Sequence, residues 1–205
     1  MRLASWLDRV LYRHPFEGAS ARRYATAERP AFGPLDQRLL DAMPQLATAQ
    51  RLLDVGFGPG TFAATAAARH PQLAVIAIDP SRDFARTHAG IGVARAAGEA
   101  LPIASASIDV AICLSSIRHV RDRLATLAEL RRVVRPGGAL VIVELDPASS
   151  TTRIAAHADG LGPGLRHAFG PLVVRTAPAS DAIAGLARAA GWEVRAQRDD
   201  PVQPV

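Results

Sequence analysis

The sequence predicts an α/β fold in which a doubly wound, mostly parallel sheet carries helices on both faces. From Arg51 onward, short apolar segments alternate with longer segments of helical periodicity, and a glycine-rich turn follows the first apolar segment. Residues 108–114 are almost continuously apolar, which is typical of a strand buried on both faces. The chain has 205 residues and a hydrophobic content of 49%, enough for a single domain with its own core.

The central part of this single domain is predicted to span residues 50–146. Five strands are predicted in it, at 51–55, 73–78, 91–95, 108–114 and 139–145. Helices are predicted between them, at 61–70, from Pro80 to Gly90 and at 121–134. The run Arg135-Pro136-Gly137-Gly138 is expected to break the chain before the fifth strand.

Three further regions complete the domain. Residues 1–49 are predicted to form a helical cap, with an amphipathic helix at 1–13 and a second helix at 36–49. Residues 147–179 show no clear period. Residues 180–205 are predicted to form a helix that Ser180 caps and Gly191 ends, followed by a sixth strand at 192–198. A seventh strand is expected to be short or missing, and the edge left exposed would suit a homodimer.

The composition restricts the function classes. Every one of the 24 basic residues is an arginine, and six lie between Arg118 and Arg135, where they would attract an anionic partner such as RNA. Aromatic residues make up only 5% of the chain, so base stacking is poorly supported and nucleic acid is not the expected partner. The single cysteine, Cys113, permits no internal disulfide, and no metal site is predicted. With no long apolar run and no secretory signal, a cytoplasmic protein without a membrane span is expected.

The most informative segment runs from Asp54 to Gly60 and reads DVGFGPG. Glycines here allow a tight turn and a close approach of the backbone to a ligand, and the following helix offers free N–H groups. A second carboxylate, Asp79, ends the next strand, so both acids are expected at the carboxyl edge of the sheet, where a ribose could bind. The spacing G-x-G-x-G differs from the dinucleotide pattern G-x-G-x-x-G, which counts against a nicotinamide cofactor.

Four motifs resemble those of the class I S-adenosylmethionine (SAM)-dependent methyltransferases, a Rossmann-like family, and in particular its type 11 group. They read LLDVGFGPG, AIDPS, EALPIASASIDVAICLSSIRHV and LRRVVRPGGALVIVE. The resemblance implies SAM as cofactor and S-adenosylhomocysteine (SAH) as product, and it places residues 147–179 on the acceptor side. The cofactor-binding residues that it implies are Asp54, Gly56, Gly58, Gly60, Asp79, Pro80, Gly98, Glu99, Leu114 and Ser115. In one departure, Ala97 stands where many relatives carry an aspartate that reaches the adenine.

The acceptor side is less clearly marked. The resemblance places His119 where an imidazole could face the transferred methyl group, and an ordinary histidine pKa near 6.5 suits proton removal; a packing or capping role is the alternative. Arg118 could pair with an anionic acceptor, and Tyr12 and Tyr24 lie in a segment that covers the cofactor in relatives. A small-molecule acceptor of metabolite, lipid or quinone type is expected. The alternatives are an RNA or protein methyltransferase and a non-catalytic SAM-binding scaffold.

Overall fold

Five parallel strands form one sheet in a computed structural model that describes residues 16–26, 35–85, 89–159, 174 and 177–205. Their order is β3-β2-β1-β4-β5, and every neighbouring pair is parallel. The strands are β1 Arg51–Val55, β2 Ala74–Asp79, β3 Ile91–Arg95, β4 Ile108–Leu114 and β5 Val134–Val143. The chain reverses its direction of winding between β1 and β4, which opens a crevice beyond the carboxyl ends of these two strands.

Helices cover both faces of the sheet, as the sequence predicts. They are α1 Gly18–Thr26, α2 Leu35–Asp41, α3 Thr61–Arg69, α4 Arg123–Val133, α5 Thr151–Asp159 and α6 Ser180–Ala189. Consecutive residues of β1 serve opposite faces: Leu52 packs in a core with Phe62 of α3, and Leu53 packs in a second core with Leu127 of α4. Both leucines are fully buried, which explains why two consecutive residues of the first strand are apolar.

The second predicted helix, at 36–49, is interrupted. Helix α2 ends at Asp41, and a short 3₁₀ helix follows at Pro44–Ala47. Pro44 has no N–H to donate and disfavours helical geometry at the preceding Met43, so the α-helix stops before it.

The strand β5 begins at Val134, so the prediction that residues 135–138 break the chain before the strand was wrong. They form its first part instead, with a shift of register opposite Ile108 and Val110. Gly137 takes a positive φ of 78°. A side chain at Gly138 would lie 2.7 Å from the Asp109 carbonyl oxygen. The two glycines therefore make an irregularity within a strand, which is a common use of glycine in sheets.

The C-terminal region differs from the prediction in two ways. Residues 192–198 form no strand, and the described residues after β5 contain none. Helix α6 is preceded by Ala179 as N-cap without a side-chain bond, whereas Gly191, with φ of 84°, ends it as predicted. Trp192 donates its indole N–H to the Leu127 carbonyl at 3.0 Å, so it anchors α4.

The region predicted to be irregular contains helix α5. Its buried residues Ile154, His157 and Ala158 have the spacing of one helical face. Residues 160–173 and 175–176, like the predicted helix at 1–13, lie outside the described part of the chain. The helix predicted from Pro80 to Gly90 is not formed over 82–84, where the chain makes turns instead. Residues 86–88 lie outside the described part of the chain. None of the described helices has the length and apolarity needed to cross a membrane.

Candidate cofactor and acceptor site

A cavity of about 960 Å³ opens at the carboxyl ends of β1, β2 and β4, in the crevice that the strand order creates. The predicted site residues that line it are Asp54, Gly56, Gly58, Asp79, Pro80, Gly98, Glu99, Leu114, Ser115, His119 and Tyr24. Of the remaining three, Gly60 precedes α3 and Arg118 pairs with Glu144, while Tyr12 lies outside the described residues. The volume of the cavity is at the upper end of the range for small-molecule sites, roughly 300–1,000 Å³.

The glycine-rich turn adopts left-handed backbone geometry, with φ of 74° at Gly56 and 54° at Gly58. A Cβ at Gly56 would lie 2.4 Å from the Cβ of Ser116, so this glycine lets the turn pack against the end of β4. At Gly58 no atom lies within 4 Å of the added Cβ position, so its backbone faces open space in the cavity. The first glycine is thus required by packing, and the second leaves room for a ligand.

Asp54 places a carboxylate at the bottom of the cavity. Its side chain is almost completely buried, and its Oδ1 atom has no hydrogen-bond partner among the described residues. Burial, then the charges of Asp36 and Asp79, raise the pKa of Asp54 to about 8. A buried acceptor left without a partner is costly, which is typical of a group that awaits a ligand. An ammonium group at this position would satisfy it.

Asp79 holds the glycine turn in place. Its Oδ2 accepts the Gly58 N–H at 3.1 Å, and its Oδ1 accepts the Ser81 N–H at 2.8 Å. Burial raises the pKa of Asp79, while these two bonds act in the opposite direction. Because each carboxylate oxygen can accept more than one hydrogen bond, the same side chain can still accept from hydroxyl groups in the cavity.

Gly98 and Glu99, in the loop after β3, pack against α4 and the residues that precede it. A Cβ at Gly98 would lie 2.9 Å from Cγ2 of Thr126, so only glycine allows this close approach to α4. The Glu99 Oε1 accepts the backbone N–H groups of Arg121 at 2.8 Å and Asp122 at 3.1 Å. Glu99 therefore braces the start of α4 while it lines the cavity.

Ser115 stands at the end of β4 with unusual geometry. Its φ of 50° is rare for a residue other than glycine. Its N–H donates to the Val143 carbonyl at 2.7 Å, which fixes the strained backbone. Its Oγ is buried at the cavity wall without a partner among the described residues. Strain and an unsatisfied hydroxyl at one residue are features of functional sites.

Of the residues predicted to contact the methyl acceptor, His119 and Tyr24 line the cavity and Arg118 does not. His119 lines the cavity, and burial, then the charges of Arg118 and Arg123, lower the pKa of His119 to about 4. Arg118 does not line the cavity: its backbone N–H donates to Glu144 Oε2 at 3.2 Å, and its guanidinium lies 3.9 Å from Glu144 Oε1. Tyr24 lines the cavity and remains 38% exposed.

The central part of the chain is similar to known proteins. A family model described as a methyltransferase domain matches residues 53–142. The ubiquinone/menaquinone biosynthesis C-methyltransferase UbiE of Syntrophotalea carbinolica is 36% identical over 107 residues, which cover 48% of this chain and 45% of that protein. The demethylmenaquinone methyltransferase of Deinococcus radiodurans is 34% identical over 137 residues, 63% of this chain and 51% of that protein.

This similarity to methyltransferase domains extends from within β1 to within β5 and covers less than half of the chain. A SAM-dependent methyltransferase from Aquifex aeolicus shares the fold of this chain with a TM-score of 0.64 and 16% identity, covering 84% of this chain and 87% of that one. The chain spans about half the length of the two curated relatives.

The cavity has an aromatic wall that the sequence analysis did not predict. Phe16, Tyr24, Phe84 and His119 line one side of the cavity. The ring centroids of Phe16 and His119 are 4.9 Å apart in an edge-to-face arrangement, and those of Phe16 and Tyr24 are 5.9 Å apart. These residues come from three separate segments and share no sequence period, so only the tertiary structure reveals the wall.

The arginine cluster between Arg118 and Arg135 is largely engaged within the protein. Arg132 bonds to Glu129 and to the carbonyls of Leu101 and Ile103. Arg135 pairs with Asp109. Arg131 lies 5.8 Å above the Trp192 ring, and Arg123 donates to the Ile117 carbonyl. Side chains used in this way are poorly placed to form a continuous RNA-binding surface.

Proposed function

We propose that this protein transfers a methyl group from SAM to a small-molecule acceptor by in-line displacement. The observation that carries the proposal is the buried Asp54 carboxylate, whose Oδ1 has no partner among the described residues, at the bottom of a cavity lined by the glycine turn and Asp79. An RNA or protein acceptor is disfavoured because the arginine cluster is engaged internally.

The residues present fit SAM. The methionine ammonium matches the unsatisfied Asp54 carboxylate, and the open space at Gly58 accommodates a chain that passes close to the backbone. The ribose hydroxyls match the remaining acceptor capacity of Asp79. At the adenine end, Ala97 supplies a small apolar contact in the cavity wall and no side-chain hydrogen bond.

Bound SAM supplies an electrophilic methyl group on a sulfonium. The protein's own part is to align the acceptor and to exclude water. With a pKa of about 4, His119 is neutral at pH 7, and protonating it there costs on the order of 4 kcal/mol. His119 therefore accepts a hydrogen bond from the acceptor and orients it, rather than carrying its proton away.

We propose an uncharged, ring-containing acceptor of quinone or similar metabolite type. The aromatic wall and the neutral His119 make the acceptor end apolar, and flat rings pack well against aromatic side chains. The two curated relatives are named as methyltransferases of quinone biosynthesis, which supports the same class of acceptor.

We place the reaction in the cytoplasm, where the free Cys113 thiol stays reduced. We also propose a homodimer that covers the outer edge of β5.

Isothermal titration with SAM, SAH and NADH tests the cofactor. We expect micromolar binding of SAM and SAH and no heat with NADH. Asp79→Ala should abolish SAH binding, because it removes both the ribose acceptor and the bond that fixes Gly58. Asp41→Ala is the matched control, since Asp41 pairs with Arg69 on the exposed surface away from the cavity. Failure of a folded wild-type protein to bind either compound would overturn the proposal.

A further inference from the structure

Helix α1 is fastened to the loop that follows β2. The backbone N–H of Gly18 donates to Asp83 Oδ2 at 2.6 Å, and the Ser81 hydroxyl donates to the Phe16 carbonyl. The guanidinium of Arg22 lies 3.7 Å from Asp83 Oδ1. We call Ser81 and Asp83 the latch. It joins two segments about 65 residues apart in the sequence.

The latch is continuous with the proposed ribose site. Asp79 Oδ1 accepts the Ser81 N–H at 2.8 Å, and the Ser81 Oγ accepts the Asp83 N–H at 3.2 Å. On its other side, Asp79 holds Gly58 of the glycine turn. A single chain of hydrogen bonds therefore runs from the glycine turn through Asp79 and the latch to the start of α1.

The segment that the latch holds carries half of the aromatic wall. Phe16 contacts His119 edge to face at a centroid distance of 4.9 Å, and its ring centroid is 6.3 Å from that of Phe84. Tyr24 lies near the end of α1, and its ring centroid is 6.1 Å from that of Phe84. If α1 were displaced, Phe16 and Tyr24 would leave the cavity, and His119 would lose the ring that packs against it.

We propose that Ser81 and Asp83 are positioning residues that couple occupation of the ribose site to closure of the aromatic wall. The inference rests on the proposed function. A ligand held by Asp79 fixes the loop after β2, and the fixed loop holds α1, so the acceptor space is completed when the cofactor is bound. By linkage, closure of α1 must also tighten cofactor binding by the same factor.

Hydrogen exchange with SAH as the probe tests the coupling. In the wild type we expect saturating SAH to slow amide exchange in residues 18–26 at least tenfold. In Asp83→Ala this protection should be lost while helices α3 and α4 keep theirs, and SAH should bind several-fold more weakly. Asp83→Asn, which keeps an oxygen that can accept the Gly18 N–H, should restore most of the protection. Asp41→Ala should behave as the wild type.

Ser81→Ala is the second variant, in case Asp83→Ala fails to fold. It removes only the hydroxyl that bonds Phe16 and Asp83, and it should also reduce the protection of α1. If SAH binds the wild type and exchange in α1 does not change, the coupling is wrong and the proposed function stands. Equal protection in the wild type and in both latch variants would also overturn it. If SAH does not bind the folded wild type, both proposals fail together.

Discussion

At the scale of single residues, the carboxylates of the cavity show what the sequence can and cannot predict. That Asp54 and Asp79 meet at one edge of the sheet follows from their positions at the ends of neighbouring strands, and the structure brings both to the cavity. Their protonation could not be predicted, because it depends on burial. Asp54 is buried, and the charge of Asp36 in the preceding helix α2 adds to the effect of burial on its pKa.

The raised pKa of Asp54 makes stability depend on pH. Folding raises its pKa from about 3.8 to about 8, so the folded state favours the protonated form. This contribution is fully present below the unfolded pKa and is lost as pH rises through 8. We expect Asp54→Asn, which stays neutral, to gain free energy of unfolding relative to the wild type by up to about 1.4 kcal/mol per pH unit between pH 5 and 7.5.

Urea unfolding of both proteins at several pH values measures this difference. Asp41→Asn is the control, because Asp41 is exposed at the surface. A difference between Asp54→Asn and the wild type that stays constant from pH 5 to 7.5 would contradict the assignment.

At the scale of elements, the predictions succeeded where local sequence and tertiary environment agree. The short apolar strand β1 and the apolar run of β4 are recovered because both strands are buried between two helical layers. Trp192 was wrongly placed in a strand, since its apolar neighbours fit an extended pattern. Its indole instead bonds the Leu127 carbonyl, a tertiary contact that no local pattern encodes. The aromatic wall was missed for the same reason.

Helix α4 depends on a cap that the sequence encodes locally. The Asp122 side chain accepts the Ala125 N–H at 2.9 Å, which satisfies one of the free N–H groups of the first turn. We expect Asp122→Ala to lower the free energy of unfolding by about 1 kcal/mol. Asp122→Asn keeps an accepting oxygen and should lose less than half of that. Chemical denaturation compares the three proteins, and equal losses in the two variants would exclude capping as the cause.

At the scale of the whole molecule, the strand order explains why one cavity gathers residues from so much of the chain. The reversal between β1 and β4 brings the glycine turn, the loop after β2 and the end of β4 to the same crevice. The sequence motifs predicted the doubly wound sheet and the meeting of Asp54 and Asp79 at its carboxyl edge. It did not predict that α1 and the loop after β2 would be joined, because side chains of different segments make that contact.

Cofactor binding to the whole protein should release a proton. The free protein holds Asp54 largely protonated at pH 7, since its pKa is about 8. The ammonium of SAH pairs with the carboxylate form and lowers that pKa, so binding at pH 7 releases up to about one proton. The affinity for SAH should then rise up to about tenfold from pH 6 to pH 7. Over this range the ligand's own amino group stays charged.

Titration calorimetry at pH 7 in phosphate and in Tris measures the released proton, because the two buffers take it up with different heats. The observed enthalpies should differ for the wild type and agree for Asp54→Asn, which has no proton to lose. Asp41→Asn should match the wild type. Equal enthalpies in both buffers for the wild type would mean that Asp54 does not change its protonation, and the ammonium would then have to be bound elsewhere in the cavity.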